Sequence, residues 1–429
     1  MRERRTVVVD FGLSIDEYRR LQGDRAIFIE RVTATMVVVT HVRHKDGCMG
    51  RDHYTRHSTH GRFLHCKGAG RTQIPVSQVR CLECGAVFTV LPSFVLRYQR
   101  YEVGLAQTLL EYNLVMNVSY RFQARMLQDL NPELATLATP MALWRLMQWL
   151  GTAMPVTNLL LKLGLTPPTA FIEDEKFVSE AGHQTYIAAI VREDVIWWCV
   201  YLQATDEATL TAALQVFKGQ VQRCLPRYAP RLALTDGNAP AQAALRNTFT
   251  SLSIQECLLH AQRKVNTDLA TYRRKHPEAT EEFMESIRTR IWNALSTSTS
   301  LYQFSQRLRR IRESLKGDPL MTARIKKLMA RRDRLMEHLR RRGVPTTSVL
   351  LDQKFKWLDR KYFQMQSLMS EAGGRAFANA WAIARNFWRF MTGAKRAGRS
   401  PVEIAGLNLS SHPWLEVVNL CAYGAFQRA

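Results

Sequence analysis

The residues of this chain best suited to chemistry are acids. The stretch Phe171-Ile172-Glu173-Asp174-Glu175-Lys176-Phe177 reads as a strand carrying three carboxylates. A further acid, Asp236, ends the apolar run Leu232-Ala233-Leu234-Thr235 and precedes Gly237. Acids at strand ends suit Mg²⁺, a hard cation that takes oxygen ligands from a rigid support. On a strand, Glu173 and Glu175 point to the face opposite Asp174, so Asp174 is the expected ligand of the three. A third acid is expected near the start of a long helix after residue 345. Asp352 is the first candidate; Asp359, two turns on, shares nearly the same face, and Glu371 is the remaining one. Three such carboxylates can converge on two divalent ions roughly 3.5–4 Å apart and support in-line displacement at a phosphodiester.

Sulfur sets up a second chemistry. Cys81-Leu82-Glu83-Cys84-Gly85 is a CxxC knuckle that can turn two thiolates toward one zinc ion. The other two ligands are expected upstream at Cys48 and His53. Cys66 with His65 is the rival pair, His57 and His60 lie nearby, and Arg51 stands where an upstream CxxC would have its second cysteine. Eight cysteines in 429 residues are too few and too scattered for a disulfide scaffold. Cys257 and His260, three apart, either help to position a substrate beside the acids or form a core pair at a helix start.

These groups need elements to hold them. Residues 1–45 read as two strands, Thr6–Val9 and Thr35–Thr40, around a short helix from Ile15 to Leu21. Residues 46–96 carry the zinc-ribbon-like module. From 97 to 165 the period turns helical, with three short helices resembling a helix-turn-helix DNA-binding module. Gly164-Leu165-Thr166-Pro167-Pro168-Thr169 breaks the chain and marks a domain boundary. From about 168 to 429 the pattern predicts a mixed α/β core: three antiparallel strands, a helix capped by Thr205, a strand ending at Asp236, a helix and a further strand. A helical insertion of about 258–343 interrupts it. Within the insertion, a helical hairpin joined at Gly317-Asp318-Pro319 is followed by the break from Gly343 to Ser348.

The chain carries 60 Lys and Arg against 37 Asp and Glu, a formal charge of +23. Such an excess points to a polyanion, and nucleic acid is the commonest. Between Arg307 and Arg342 stand fourteen Lys or Arg and four acids. This stretch is expected to pack on one side and face phosphates on the other, through Arg309, Arg310, Lys326, Lys327, Arg331 and Arg332. A basic loop with Lys395, Arg396 and Arg399 is a second phosphate-facing candidate. No apolar run approaches the 18 or so residues of a spanning helix, and the apolar segment after the basic start is too short for a signal peptide. A cytoplasmic location and no membrane partner are therefore expected.

Taken together, Phe171–Phe177, the Thr235-Asp236-Gly237 turn, the Cys257-Leu258-Leu259-His260 pattern and the Arg80–Cys84 knuckle leading into Leu91-Pro92 resemble bacterial insertion-sequence transposases of the DDE/DDD class. So does the Thr346-Thr347-Ser348 start of the last acidic helix. The resemblance covers most of the chain from about residue 45. It implies an RNase H-like catalytic core, two Mg²⁺ ions (with Mn²⁺ able to substitute), and a structural Zn²⁺. It also implies double-stranded DNA as substrate, a dimer or larger active complex, and metal-dependent strand cleavage and transfer in a bacterial cytoplasm. For Cys257 and His260 it implies a part in positioning DNA. The third acid departs from the family pattern: Thr346-Thr347-Ser348-Val349-Leu350-Leu351-Asp352 lacks the usual paired Asn and has Asp for Glu.

Overall fold

The structure is a computed structural model that describes residues 5–38, 44, 48, 54–67, 69–130, 139–315, 318–341, 344–393, 396–409 and 412–424. The chain forms two compact units. One comprises Met1–Leu165, Phe363–Gln366 and Ser370–Ala429; the other comprises Thr166–Tyr362 and Ser367–Met369.

In the first unit the apolar run Thr6–Val9 lies in strand β1 (Arg5–Val9), followed by helices α1 (Ile15–Gly23) and α2 (Arg25–Val38). The expected second strand at Thr35–Thr40 is corrected here: the described part of that stretch is the end of α2. Helical spacing of Phe28, Val32 and Met36, all buried, outweighs the β-branched composition. Asp24 assists by accepting the backbone N–H groups of Ala26 and Ile27. Strands β2 (Tyr54–Cys66), β3 (Gly70–Cys81) and β4 (Val87–Pro92) complete a sheet of order β1-β4-β3-β2. β1 runs parallel to β4, whereas the other pairs are antiparallel. Within the described residues, Val7, Tyr18 and Phe28 share one core with Tyr54, Cys81 and Phe88. Four helices follow: α3 (Val103–Leu114), α4 (Tyr120–Leu130), α5 (Pro140–Ala153) and α6 (Val156–Lys162). Thr139 caps α5 by accepting Ala142 N–H, with Pro140 in the first turn.

The second unit is built on a five-stranded sheet. β5 (Ala170–Glu180), β6 (His183–Arg192) and β7 (Val195–Leu202) form an antiparallel meander. Residues Ile187–Val191 of β6 are fully buried, as expected of a strand covered on both faces. The chain then passes through α7 (Glu207–Gln222) to β8 (Leu232–Thr235), which pairs parallel with β5. Asp206, not Thr205, caps α7: its carboxylate accepts the N–H of Thr209. α8 (Ala239–Thr248) leads to β9 (Ser253–Glu256), parallel to β8, giving the order β7-β6-β5-β8-β9.

The insertion that follows consists of α9 (Leu258–Lys275), α10 (Glu281–Ser296), α11 (Leu301–Ser314), α12 (Pro319–Ala330), α13 (Arg332–Leu335) and a 3₁₀ turn at Glu337–Leu339. It has an apolar core of its own, in which Val265, Ile291, Phe304, Leu308, Ile325 and Leu335 are fully buried. Glu256, 2% exposed at the end of β9, binds Arg331 at 2.9 Å and Arg334 at 2.7 Å, and so clamps α13 to the sheet. α14 (Val349–Met365) returns to the sheet. The chain finishes with α15 (Glu371–Phe387), α16 (Pro401–Ile404) and α17 (Trp414–Tyr423). These last three belong to the first unit, although the sequence pattern puts everything to 429 in the catalytic domain. The local reason is close packing of α15 on α5: a Cβ at Gly151 would stand 2.0 Å from the Ala376 carbonyl oxygen, so only glycine admits that approach. Among the described residues no helix is long and apolar enough to cross a membrane.

Candidate active site and metal centre

The acids are positioned by strand register. β5 and β8 pair as Ala170↔Leu232, Phe171↔Ala233 and Ile172↔Leu234, with a constant offset. The same offset of 62 separates Asp174 from Asp236, which directly follows the end of β8. Asp174 is 9% exposed. Burial first, and then the charge of Asp236, push its pKa up to about 6; His260 and the Glu175 N–H, which bonds Asp174 Oδ1 at 2.9 Å, act the other way. Asp236 Oδ1 accepts the Asn238 N–H at 2.6 Å, and its carbonyl accepts the Gln242 amide. The strand end is thereby fastened to the first turn of α8.

Asp352 reaches the same place from α14. The entry of that helix is tied down by three contacts. Leu258 N–H donates to the Thr346 carbonyl at 2.9 Å, and the N–H and hydroxyl of Ser348 both point at Cys257 Sγ, at 3.3 and 3.4 Å. Ser348 Oγ also lies 3.3 Å from His260 Nδ1. Cys257 caps α9, so the Cys-x-x-His pattern at the start of one helix fixes the start of another. As a result, ligand atoms of Asp174, His260 and Asp352 all lie within 4.8 Å of one another. Asp236 stands outside that trio.

The electrostatics of the group favour a cation. Asp352 Oδ2 is buried and accepts no hydrogen bond, with Arg263 at 3.4 Å as its ion pair. The Cys257 hydrogen bond raises the His260 pKa; burial opposes this, while the charges of Cys257, Asp174 and Asp352 add to it. Burial pushes the Cys257 thiol up, but hydrogen bonds from His260 and Ser348 outweigh it and leave the thiol below its usual value. Asp174, His260 and Asp352 together form a group that could hold a metal ion.

Glu173 and Glu175 occupy the other side of β5. Glu173 is 1% exposed and accepts the Thr235 hydroxyl at 3.0 Å. Its pKa is well above the carboxylate range, chiefly through burial and then the charges of Glu175 and Asp174. Glu175 is pushed up to about 8 by burial, Asp174 and Asp236.

Other sequence candidates are placed elsewhere. Asp359 pairs with Lys176 at 2.9 Å rather than joining Asp174. Positions two turns apart share a helix face but stand about 10 Å apart along the axis, so one ion cannot use both acids of α14 in place of each other. Glu371 pairs with Arg375 on α15, in the first unit. Of the basic residues, Arg309, Arg310, Lys326, Lys327 and Arg332 are exposed. Arg309 also pairs with Glu313 at 3.0 Å, and Arg332 lies 3.8 Å from Asp333. Arg331 is corrected: its guanidinium is committed to the buried Glu256 and is not a free phosphate contact. Lys395 lies outside the described residues; Arg396 sits over the Phe390 ring and Arg399 donates to the Glu403 carbonyl, both in the first unit.

The first unit brings His44, Cys48, Cys81 and Cys84 together, with ligand atoms within 4.8 Å of one another, and this group can hold a zinc ion. His44 Nδ1 lies 3.3 Å from Cys48 Sγ and 3.4 Å from Cys84 Sγ. Its Nε2 meets the Tyr54 hydroxyl at 2.9 Å, the outer partner that fixes a ligating imidazole. His53, the expected fourth ligand, lies outside the described residues. The sequence signal for His44 is its spacing of four from Cys48. The rival cysteine, Cys66, is buried at the far end of the β2–β3 hairpin, its thiol pushed up by burial. No protein-family model and no curated protein matches this chain.

Proposed function

We propose that this chain is a DNA transposase of the DDE/DDD type, which cuts transposon ends and joins them to a target. The observation that carries the reading is the meeting of Asp174 and Asp352. They are far apart in sequence and come from a central strand and a late helix, and Asp174 also feels the charge of Asp236, which follows the end of the neighbouring strand. The order β7-β6-β5-β8-β9, with three antiparallel strands followed by two parallel ones, is that expected of an RNase H-like core with its insertion after the fifth strand.

Asp174, Asp236 and Asp352 would hold the divalent ions. When bound, Mg²⁺ or Mn²⁺ supplies positive charge to offset that developing on the phosphate in an in-line displacement. Cys257 and Ser348 hold Asp352 in place. His260 presents an imidazole in the same cluster, where it can donate to a phosphate oxygen or a leaving 3′ oxygen. Lys264 Nζ lies close to Gly237, next to Asp236, and supplies positive charge there. The exposed arginines and lysines of α11 and α12 bind the duplex through its phosphates. A zinc ion on His44, Cys48, Cys81 and Cys84 braces the first unit, and joining two ends requires at least two copies of the chain.

The test is a strand-transfer assay with labelled duplexes taken from the DNA flanking the gene, in Mg²⁺ or Mn²⁺. Wild type is expected to give cut ends and joined products; Asp174→Asn and Asp352→Asn should give neither while keeping duplex affinity. Cut ends without joined product would mean a nuclease. Activity that survives both substitutions, or a wild type inert in both metals, would overturn the assignment.

A further inference from the structure

A cavity of about 630 Å³ lies in the first unit, between the end of the β2–β3 hairpin and the segment that leads into α3. Arg62, Arg71 and Arg100 line it together with Phe63, Tyr98 and Gln99. Among the described residues no carboxylate pairs with any of these three arginines. Arg62 is held rigidly, because its guanidinium donates to the carbonyls of Leu96 and Gln99. Three guanidinium groups around one hollow, without a counter-ion among the described residues, form a site for an anion from outside.

The aromatic residues say which anion. Phe63 is 46% exposed and Tyr98 is 74% exposed. Each has a guanidinium over one face, Arg71 over Phe63 at 4.1 Å and Arg97 over Tyr98 at 4.6 Å. Tyr98 is also held at a φ of 62°, in the left-handed region. For a bulky aromatic residue that conformation is costly, and such strain concentrates at ligand sites. The fold thus spends energy to keep an aromatic ring in solvent beside these arginines. Phosphate on guanidinium and a base stacked on an aromatic ring is the pairing used for single-stranded nucleic acid.

The geometry points to this cavity as a binding site for an unpaired nucleotide of a nucleic-acid strand, its phosphate on Arg71 and Arg100 and its base against Tyr98 and Phe63. The site uses none of the acids of the second unit. It adds to the basic helices a contact that would read unpaired or frayed DNA, which a duplex interior cannot offer.

The experiment is fluorescence anisotropy on the Asp174→Asn chain without added Mg²⁺, so that strand chemistry plays no part. The probes are a labelled single strand of about 12 nucleotides, within the range of single-strand sites, the same strand with abasic sugars, and a fully paired duplex. Tyr98→Gly combined with Phe63→Ala should weaken single-strand binding roughly 5- to 150-fold, the worth of one stacked base, and leave duplex binding unchanged. Glycine accepts the left-handed backbone at this position, so the variant keeps the local fold, and an unchanged zinc content checks that the unit is folded. Arg71→Gln with Arg100→Gln should weaken the base-bearing and the abasic strand alike. The inference is overturned if the aromatic variant binds the single strand as the parent does. It is equally overturned if the abasic strand binds as well as the base-bearing one, or if a mononucleotide competes as effectively as the strand. A wild-type chain that cuts no DNA in Mg²⁺ or Mn²⁺, while these binding differences hold, would refute the proposed catalysis and keep this site.

Discussion

Glu175 provides a stability test of the acidic cluster that needs no DNA. Its folded pKa is about 8, raised by burial and by Asp174 and Asp236, against an ordinary value of 4.5. One oxygen, Oε1, is buried without a hydrogen bond. Because the folded-state pKa is the higher one, the stability associated with this group is complete below pH 4.5 and is lost as pH rises through about 8. At about 1.36 kcal/mol per unit, the loss is about 3 kcal/mol by pH 7 and approaches about 5 kcal/mol above pH 8. Glu175→Gln keeps the shape and removes the charge. For a unit of this size the expected gain is roughly 6–12 °C in the melting temperature of the second unit at pH 7, at about 2–4 °C per kcal/mol. At pH 4 the two proteins should melt together. Differential scanning fluorimetry across that pH range, with and without Mn²⁺, reads both effects. Mn²⁺ should narrow the gap, because an ion on Asp174 and Asp236 offsets the charges that raise Glu175. A Gln variant that melts lower than wild type at pH 8, or by the same margin at pH 4 and pH 8, would refute the reasoning.

Three further outcomes separate roles that composition alone merges. His44→Ala should release zinc and lower the melting temperature of the first unit, whereas His53→Ala should keep a full equivalent of zinc; metal analysis of purified protein decides, and the reverse result would return the ligand to His53. Arg331→Met should cost stability, up to about 3–5 kcal/mol, because Glu256 loses one of its two arginine partners in a buried site. Lys326→Ala with Lys327→Ala should leave the melting temperature unchanged and flatten the salt dependence of duplex binding by about one unit per lost phosphate contact.

Much of the second unit is legible in the sequence because alternation and helical spacing agree there. The β6–β7 hairpin, the parallel strand before Asp236 and the spacing between Asp174 and Asp236 all correspond to the observed sheet. Separation of Glu173 from Asp174 follows from strand alternation alone. The choice among three late acids is not legible, because Asp352 and Asp359 share a helix face. It depends on Ser348 meeting Cys257 across 91 residues, a contact that no local pattern encodes. His44 escapes a reading of zinc ligands based on CxxC spacing, and Arg331 looks like a phosphate contact because its partner, Glu256, lies 75 residues upstream. The membership of α15 to α17 in the first unit rests on packing such as that at Gly151, which is invisible until both helices are placed.

The central claim is that Asp174 and Asp352 share divalent metal. Its most direct measurement is Mn²⁺ binding, followed by the loss of free-ion electron paramagnetic resonance signal, on wild type and four variants. Saturable binding is expected in wild type, lost in Asp174→Asn and Asp352→Asn, and kept in Asp359→Asn and Glu371→Gln. Binding that survives Asp352→Asn but disappears in Asp359→Asn would contradict it.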